Sequence, residues 1–294
     1  MKKKQLIGIF LLLAVLGTAL FLLLNHQTLA GTQQKILPLL TAQIFKVGKA
    51  DAIVLQLEQK VIILDAGEEE DGREIAEYLK KRNLNRVDAM IITHFDKDHV
   101  GGADTVLEEL TVEKLILPDY EGSSTDYQEM MEALASSKKK NGTQEIRLKE
   151  DWEMSWGKAN ILIEPPSSYE IPDASREYDN DFSLITTLRY GETTLLFMGD
   201  AEKRLTRSWL AKNRDRHCDF VKMPHHGVYQ TALVEMLEAL RPSSAALCTS
   251  QKNPAETKTV ELLKAYRVAV YETRTGDITV SSDGTAVSVK QGGS

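Results

Sequence analysis

Residues 93–102 read THFDKDHVGG, so two histidines and two aspartates fall within positions 94–99, directly before two glycines. Imidazole nitrogens and carboxylate oxygens are the usual ligands of divalent transition ions, and His94, Asp96, Asp98 and His99 offer four of them from one short segment. His94 and Asp96 stand two apart while Asp98 and His99 are adjacent, so one tight loop can serve two neighbouring ions. The glycines at 101 and 102 let the backbone turn closely beneath them. The alternative is a charged turn capping a helix that begins near Gly101, with Asp98 as its N-cap. A lone aspartate would favour capping; four ligand-type residues in six positions favour metal.

Two more segments share this character. Asp200 closes the apolar run TTLLFMGD, and His225 and His226 follow FVKMP and precede Gly227. Each has an ordinary reading alone, as a helix cap or a surface pair. Three strand ends that all finish in ligand-type residues point instead to one centre, because loops at strand ends are where a rigid sheet presents its chemistry. Asp65, at the end of KVIILDAG, suits a carboxylate that accepts a hydrogen bond from a metal-bound histidine.

The elements that must position these groups alternate. Short β-branched runs at 41–47, 52–58 and 60–67 are spaced for antiparallel pairing. A helix over GREIAEYLKKRNL places Ile75, Tyr78 and Leu79 on one face. Strand VDAMIITH, helix GADTVLEEL, strand KLILP and a helix around DYQEMMEALASS follow, and KKKNGTQ reads as a turn. Residues 150–180, with Pro165, Pro166 and Pro172, read as a long loop. SLITTLRYG and TTLLFMGD form a hairpin about Gly191-Glu192, and TGDITVSSDGTAVSV forms another near the C-terminus. Two sheets covered by helices are the expected architecture.

Lys2, Lys3 and Lys4 precede nineteen uncharged residues, Leu6 to Leu24, a length that spans a bilayer with the lysines left inside. Thr28-Leu29-Ala30 also resembles a cleavage site, so residues 1–30 are expected to be either a membrane anchor or a removed signal peptide. Residues 31–39 follow as a linker and 40–294 as the folded domain, outside the cytoplasm in both cases, anchored or secreted. Setting the three lysines aside leaves 33 basic against 43 acidic side chains, which argues against bulk electrostatic coating of nucleic acid. Cys218 and Cys248 are expected at opposite ends of neighbouring parallel strands, as core residues rather than a disulfide.

The THFDKDH segment resembles the metallo-β-lactamase superfamily, whose loop is HxHxDH, in the HxDxDH form of the ComEC-like nuclease branch. The resemblance runs over about residues 40–290 and implies an αββα four-layer sandwich, two mixed sheets covered by helices. It implies that Asp65 braces the metal loop, that Asp200 of FMGDAE bridges two ions, and that a histidine of PHHG is the last ligand, with His225 favoured over His226. One ion would take His94 and Asp96 with help from Asn180 or water. The other would take Asp98, His99 and His225. NDFSL stands where lactamases carry another zinc histidine, with Asn180 and Ser183 as the matching residues. The cofactors so implied are two divalent ions, zinc in the second site and zinc or manganese in the oxygen-rich first.

The implied activity is hydrolysis of a phosphodiester, DNA included, by a metal-bound hydroxide that Asp98 orients. Two alternatives stay open: a cell-wall phosphodiesterase cutting teichoic acid or phosphocholine, and a catalytically silent surface-binding protein on the same fold. Arg204 and Arg207 lie in a basic stretch, 203–216, that either tracks a phosphate backbone or is a solvated helix face. The chain departs from the branch in places. It reads KVGKADA where DVGQGDA is usual, with Lys46 and Ala50 substituted, and NPAETK lacks a histidine often found there.

Overall fold

A computed structural model describes residues 37–170 and 179–292. The anchor or signal expected over 1–30, the linker up to residue 36 and the stretch 171–178 lie outside these residues. In chain order the first strands are β1 (Leu40–Ile44), β2 (Ala52–Leu57), β3 (Lys60–Ala66), β4 (Arg86–Val87), β5 (Ala89–Ile91), β6 (Thr111–Val112), β7 (Lys114–Pro118) and β8 (Gln144–Leu148). Then come β9 (Trp152–Trp156), β10 (Ala159–Glu164), β11 (Ile185–Tyr190), β12 (Thr193–Phe197), β13 (Phe220–Lys222), β14 (Ser244–Leu247), β15 (Ala269–Glu272), β16 (Ile278–Ser282) and β17 (Val287–Gln291).

Eight strands form one sheet, in the order β17-β16-β1-β2-β3-β5-β7-β8, and seven form another, β15-β14-β13-β12-β11-β10-β9. Both sheets change character part-way. The first is antiparallel from β17 to β3 and parallel from β3 to β8. The second is antiparallel from β9 to β12 and parallel from β12 to β15. The switch falls at β3 and β12, the strands that lead into Asp65 and Asp200.

Helices cover one face of each sheet. Ile75, Ala76 and Leu79 of helix Asp71–Lys80, with Val106 and Leu107 of helix Ala103–Glu109, pack on Val54, Val61 and Ile63. Leu205 and Trp209 of helix Lys203–Asn213 and Leu233, Met236 and Leu237 of helix Ala232–Leu240 pack on Leu196, Val221 and Ala245. The alternate strand residues Ile62, Leu64, Leu195 and Phe197 are equally buried, on the faces the two sheets turn to each other. Each fully buried side chain of this size contributes about 1.5–3 kcal/mol. The expected layers, helix, sheet, sheet, helix, are present.

Local departures have local causes. Residues 150–180 are not one loop: Trp152–Trp156 and Ala159–Glu164 form a hairpin, and Gly157 supplies the positive φ, 62°, of its turn. Lys138–Asn141 are not a turn but the last helical turn of Thr125–Asn141, which ends on left-handed Gly142 (φ 75°). The run VDAMIITH is broken at Asp88, whose carboxylate accepts from Val61 N at 2.9 Å and Trp156 Nε1 at 3.0 Å.

Both cysteines are free and buried, flanking β13 and β14. Burial, with Asp219 adding its charge, pushes the Cys218 thiol up to about 12. Burial and nearby Asp51 raise Cys248 as well. Neither thiol should react with an aromatic disulfide reagent in the folded protein, and both should after denaturation. Fast labelling of either one in the native state would contradict this packing.

Candidate metal centre

The site lies where β3, β5, β12 and β13 end, two strands from each sheet. β5 is buried throughout, and Ile92 N still bonds Ile116 O at 3.0 Å. One residue later the ladder stops, and Thr93 N donates instead to Asp65 Oδ1 at 2.7 Å. Asp65 holds a left-handed backbone, φ 55°, uncommon for a non-glycine residue. Its second oxygen accepts from Thr93 Oγ1 at 2.8 Å and from His99 Nδ1 at 2.8 Å. The threonine hydroxyl, having donated to Asp65, can accept from His94 Nδ1 at 3.0 Å. One carboxylate and one hydroxyl therefore orient both imidazoles, with Nδ1 donating to them and Nε2 turned away from them.

Those Nε2 atoms converge. Ligand atoms of His94, His99 and Asp200 lie within 4.8 Å of one another, as do those of Asp98, His99 and His226. Asp200 Oδ1 is 3.4 Å from His99 Nε2, and its Oδ2 is 3.0 Å from His226 Nε2. Asp98 Oδ2 is 3.4 Å from His226 Nε2, and Asp96 Oδ2 is 3.6 Å from His94 Nε2. Asp96 is the outermost of the set, with its side chain 44% exposed. Ser183 Oγ accepts from Asp200 N at 3.2 Å and lies 3.5 Å from His94 Nδ1, linking the two strand ends.

The electrostatics match a cation site. Burial would raise the Asp200 carboxyl, but His226, His99 and Lys222 hold it well below the usual carboxylate range. Asp98 is likewise held below that range by His226 and His99 against its burial. Burial works to discharge His99, and Asp200 and Asp65 overcome it, so its imidazole pKa rises well above ordinary.

Residues 46–174 match the family model of the metallo-beta-lactamase superfamily. Over those residues, under half of the chain, it is similar to the metallo-beta-lactamase superfamily. The chain is similar to part of ComE operon protein 3 of Bacillus subtilis, 23% identical over 199 residues, which are 67% of this chain and 24% of that protein. It is similar also to Recombination protein 2 of Haemophilus influenzae, 25% identical over 235 residues, 77% of this chain and 27% of that one. The chain thus spans about a quarter of the length of these curated relatives. Among solved structures, the metallo-beta-lactamase fold protein YhfI from Bacillus subtilis superposes with a TM-score of 0.53 at 11% identity, over 86% of this chain and 100% of that one. Igni18, a metallo hydrolase from Ignicoccus hospitalis, does so with 0.51 at 14% identity, over 82% and 98%. At such identities the likeness shows the fold.

The residues of this centre fit a metal. His94 Nε2, His99 Nε2 and both ring nitrogens of His226 are buried with no hydrogen-bond partner. Leaving a polar group so desolvated costs about 1–3 kcal/mol, a penalty that coordination to a cation removes. His94, Asp96, Asp98, His99, Asp200 and His226 are the residues that would hold it.

One expectation is overturned: His225 does not reach the cluster. Its Nδ1 faces Glu202 Oε1 at 3.7 Å, and its backbone N donates to Gly199 O at 3.3 Å. Two successive left-handed residues, φ 47° and 52°, rotate the PHHG turn so that His226 points inward and His225 outward. Asn180 sits in the 3-10 turn Asp179–Phe182, its carbonyl accepting from Ser183 N at 3.3 Å and its side-chain oxygen buried without a partner. Arg204 pairs with Asp181 at 2.9 Å and Arg207 with Glu235. Their charges are balanced locally, which does not favour the phosphate-binding expectation.

Sequence reasoning passed over three residues that the centre uses. Thr93 is the hydroxyl relay just described. Asp51, 1% exposed, lies 3.5 Å from His226 Nδ1 and 3.9 Å from His99 Nδ1. Lys222, with no exposed surface, forms ion pairs with Asp51 and, at 3.4 Å, with Asp200. Its signal was available: a lysine inside FVKM, a strand otherwise wholly apolar.

Proposed function

We propose that this domain is a metal-dependent phosphodiesterase with nuclease activity, working outside the cytoplasmic membrane. The observation that carries the proposal is Asp96. Where a lactamase would have a histidine, a partly exposed carboxylate stands beside His94, so the outer ion site is rich in oxygen. Such a site suits harder ions, manganese as well as zinc, and anionic oxygen substrates. One relative's name, Recombination protein 2, is in keeping with a DNA substrate. The apolar segment Leu6–Leu24 supports export or anchoring.

Divalent ions held here would supply Lewis acidity and make water a competent nucleophile near neutral pH. The chain's own groups do the rest. Asp65 and Thr93 keep His99 and His94 in the tautomers that present Nε2. Asp98 is 20% exposed beside His226, so one of its oxygens can orient an attacking water by accepting its hydrogen bond.

The test is a comparison of substrates on the full chain with zinc or manganese supplied. A chromogenic phosphodiester should be hydrolysed, a chromogenic cephalosporin should not, and activity should vanish on chelation and return with about two metal equivalents. Comparable turnover of the cephalosporin, or full activity after exhaustive chelation, would overturn the reading. Strong preference for a phosphocholine ester over DNA would move the substrate to the cell wall.

A further inference from the structure

Lys222 is the last residue of β13, opposite Phe197 of β12 and Ala246 of β14, in the middle of the parallel half of its sheet. A fully buried ammonium there is unusual, because a lone buried charge is costly and an apolar side chain of similar volume commonly serves stability as well or better. The three donors of the group are all engaged: Gly199 O at 3.0 Å, Asp200 Oδ1 at 3.4 Å and the carboxylate of Asp51. Gly199 and Asp200 are the turn that delivers the shared carboxylate to the centre. Lys222 thus grips that turn by its backbone and by one oxygen, which leaves Asp200 Oδ2 toward His226 Nε2 at 3.0 Å.

Charge counting supports the same role. Asp51, Asp65, Asp96, Asp98 and Asp200 bring five negative charges to the cluster, and the ammonium leaves four, which two divalent ions balance.

We propose that Lys222 is a positioning residue for the metal centre, fixing the orientation of Asp200 so that its Oδ2 faces His226 Nε2, where the two side chains would hold an ion together. The inference rests on the metal reading of the site. Asp51 is the other anchor of the ammonium.

The test separates this role from simple pairing of buried charges. Lys222→Met alone strands Asp51 and should lower the melting temperature. Adding Asp51→Asn removes the stranded charge and keeps the cluster at four negative charges, so the double variant should recover most of the stability. Its metal site should not recover. Zinc titration against a competing chelator should show one of the two ions bound at least about 10-fold more weakly than in the wild type, the loss typical of removing an outer partner of a ligand. The absorption spectrum of bound cobalt should change as well. A double variant with wild-type zinc affinity and cobalt spectrum would overturn the proposal and leave Lys222 as a mere partner of Asp51. Should the methionine double variant not fold, Asp51→Asn with Lys222→Gln, polar but one bond too short to reach Asp200, is read by the same two outcomes. Failure of the wild type itself to bind zinc or cobalt would instead sink the metal reading, and this inference with it.

Discussion

Replacing His226 with alanine is expected to remove about one metal equivalent and to lower phosphodiester hydrolysis by more than about 100-fold, beyond the 10- to 100-fold typical of losing an outer partner. His225→Ala should leave metal content unchanged and activity within about twofold, as expected for a residue outside the coordination sphere. The contrast is sharp because the residues are adjacent and of one type. His226 is 2% exposed and lies 3.0 Å from Asp200, whereas His225 turns to Glu202. Metal analysis of the two purified variants beside the wild type decides the matter. Equal loss in both would mean that the turn as a whole, rather than one imidazole, supports the centre.

The second large effect comes from a glycine that ligates nothing. Gly102→Ala is expected to destabilise the domain by about 3 kcal/mol, the upper end for overpacking, which lowers the melting temperature by roughly 6–12 °C in a domain of this size. A Cβ at Gly102 would intrude on the backbone of Gly72 and the carbonyl of Ala66, and one at Gly72 would strike Gly102 in turn. The N-terminus of helix Asp71–Lys80 and the metal loop touch backbone to backbone there. Thermal unfolding of the metal-free variant measures the effect directly, and a shift under about 2 °C would show that the loop can give way.

That same glycine shows what a sequence conceals. The pair at 101 and 102 signalled a special backbone, yet helix Lys97–Val100 ends on Gly101 with φ −53°, and Gly102 has φ −83°. Small size is what the position demands, and the neighbour that demands it, Gly72, is thirty residues away. Local patterns were legible: KLILP is a strand, and TTLLF pairs with ITTLRY about Gly191-Glu192. The ligand-rich loop was legible too, since a solvated turn or a helix cap has no use for four ligand-type residues in six positions. The choice between His225 and His226 was not, because it depends on two successive backbone dihedrals that no periodicity encodes. Asp51 and Lys222 escaped for a different reason. They are 171 positions apart in the chain, and only the stacking of the two sheets brings an unremarkable Asp and a misplaced Lys into contact.

The division of the centre between two sheets sets a timetable for its assembly. His94, Asp96, Asp98 and His99 leave the ribosome long before Asp200, Lys222 and His226. At about 5–20 residues per second, the interval from His99 to His226 lasts roughly 6–25 seconds. Throughout it the nascent chain offers Asp51, Asp65, Asp96 and Asp98 without the ammonium that trims their charge. The first sheet is completed later still, because β1 pairs with β16 along Leu40–Ile44 and that edge is among the last segments made. The complete set of candidate ligands is therefore brought together only late in synthesis, once the C-terminal half of the chain is made.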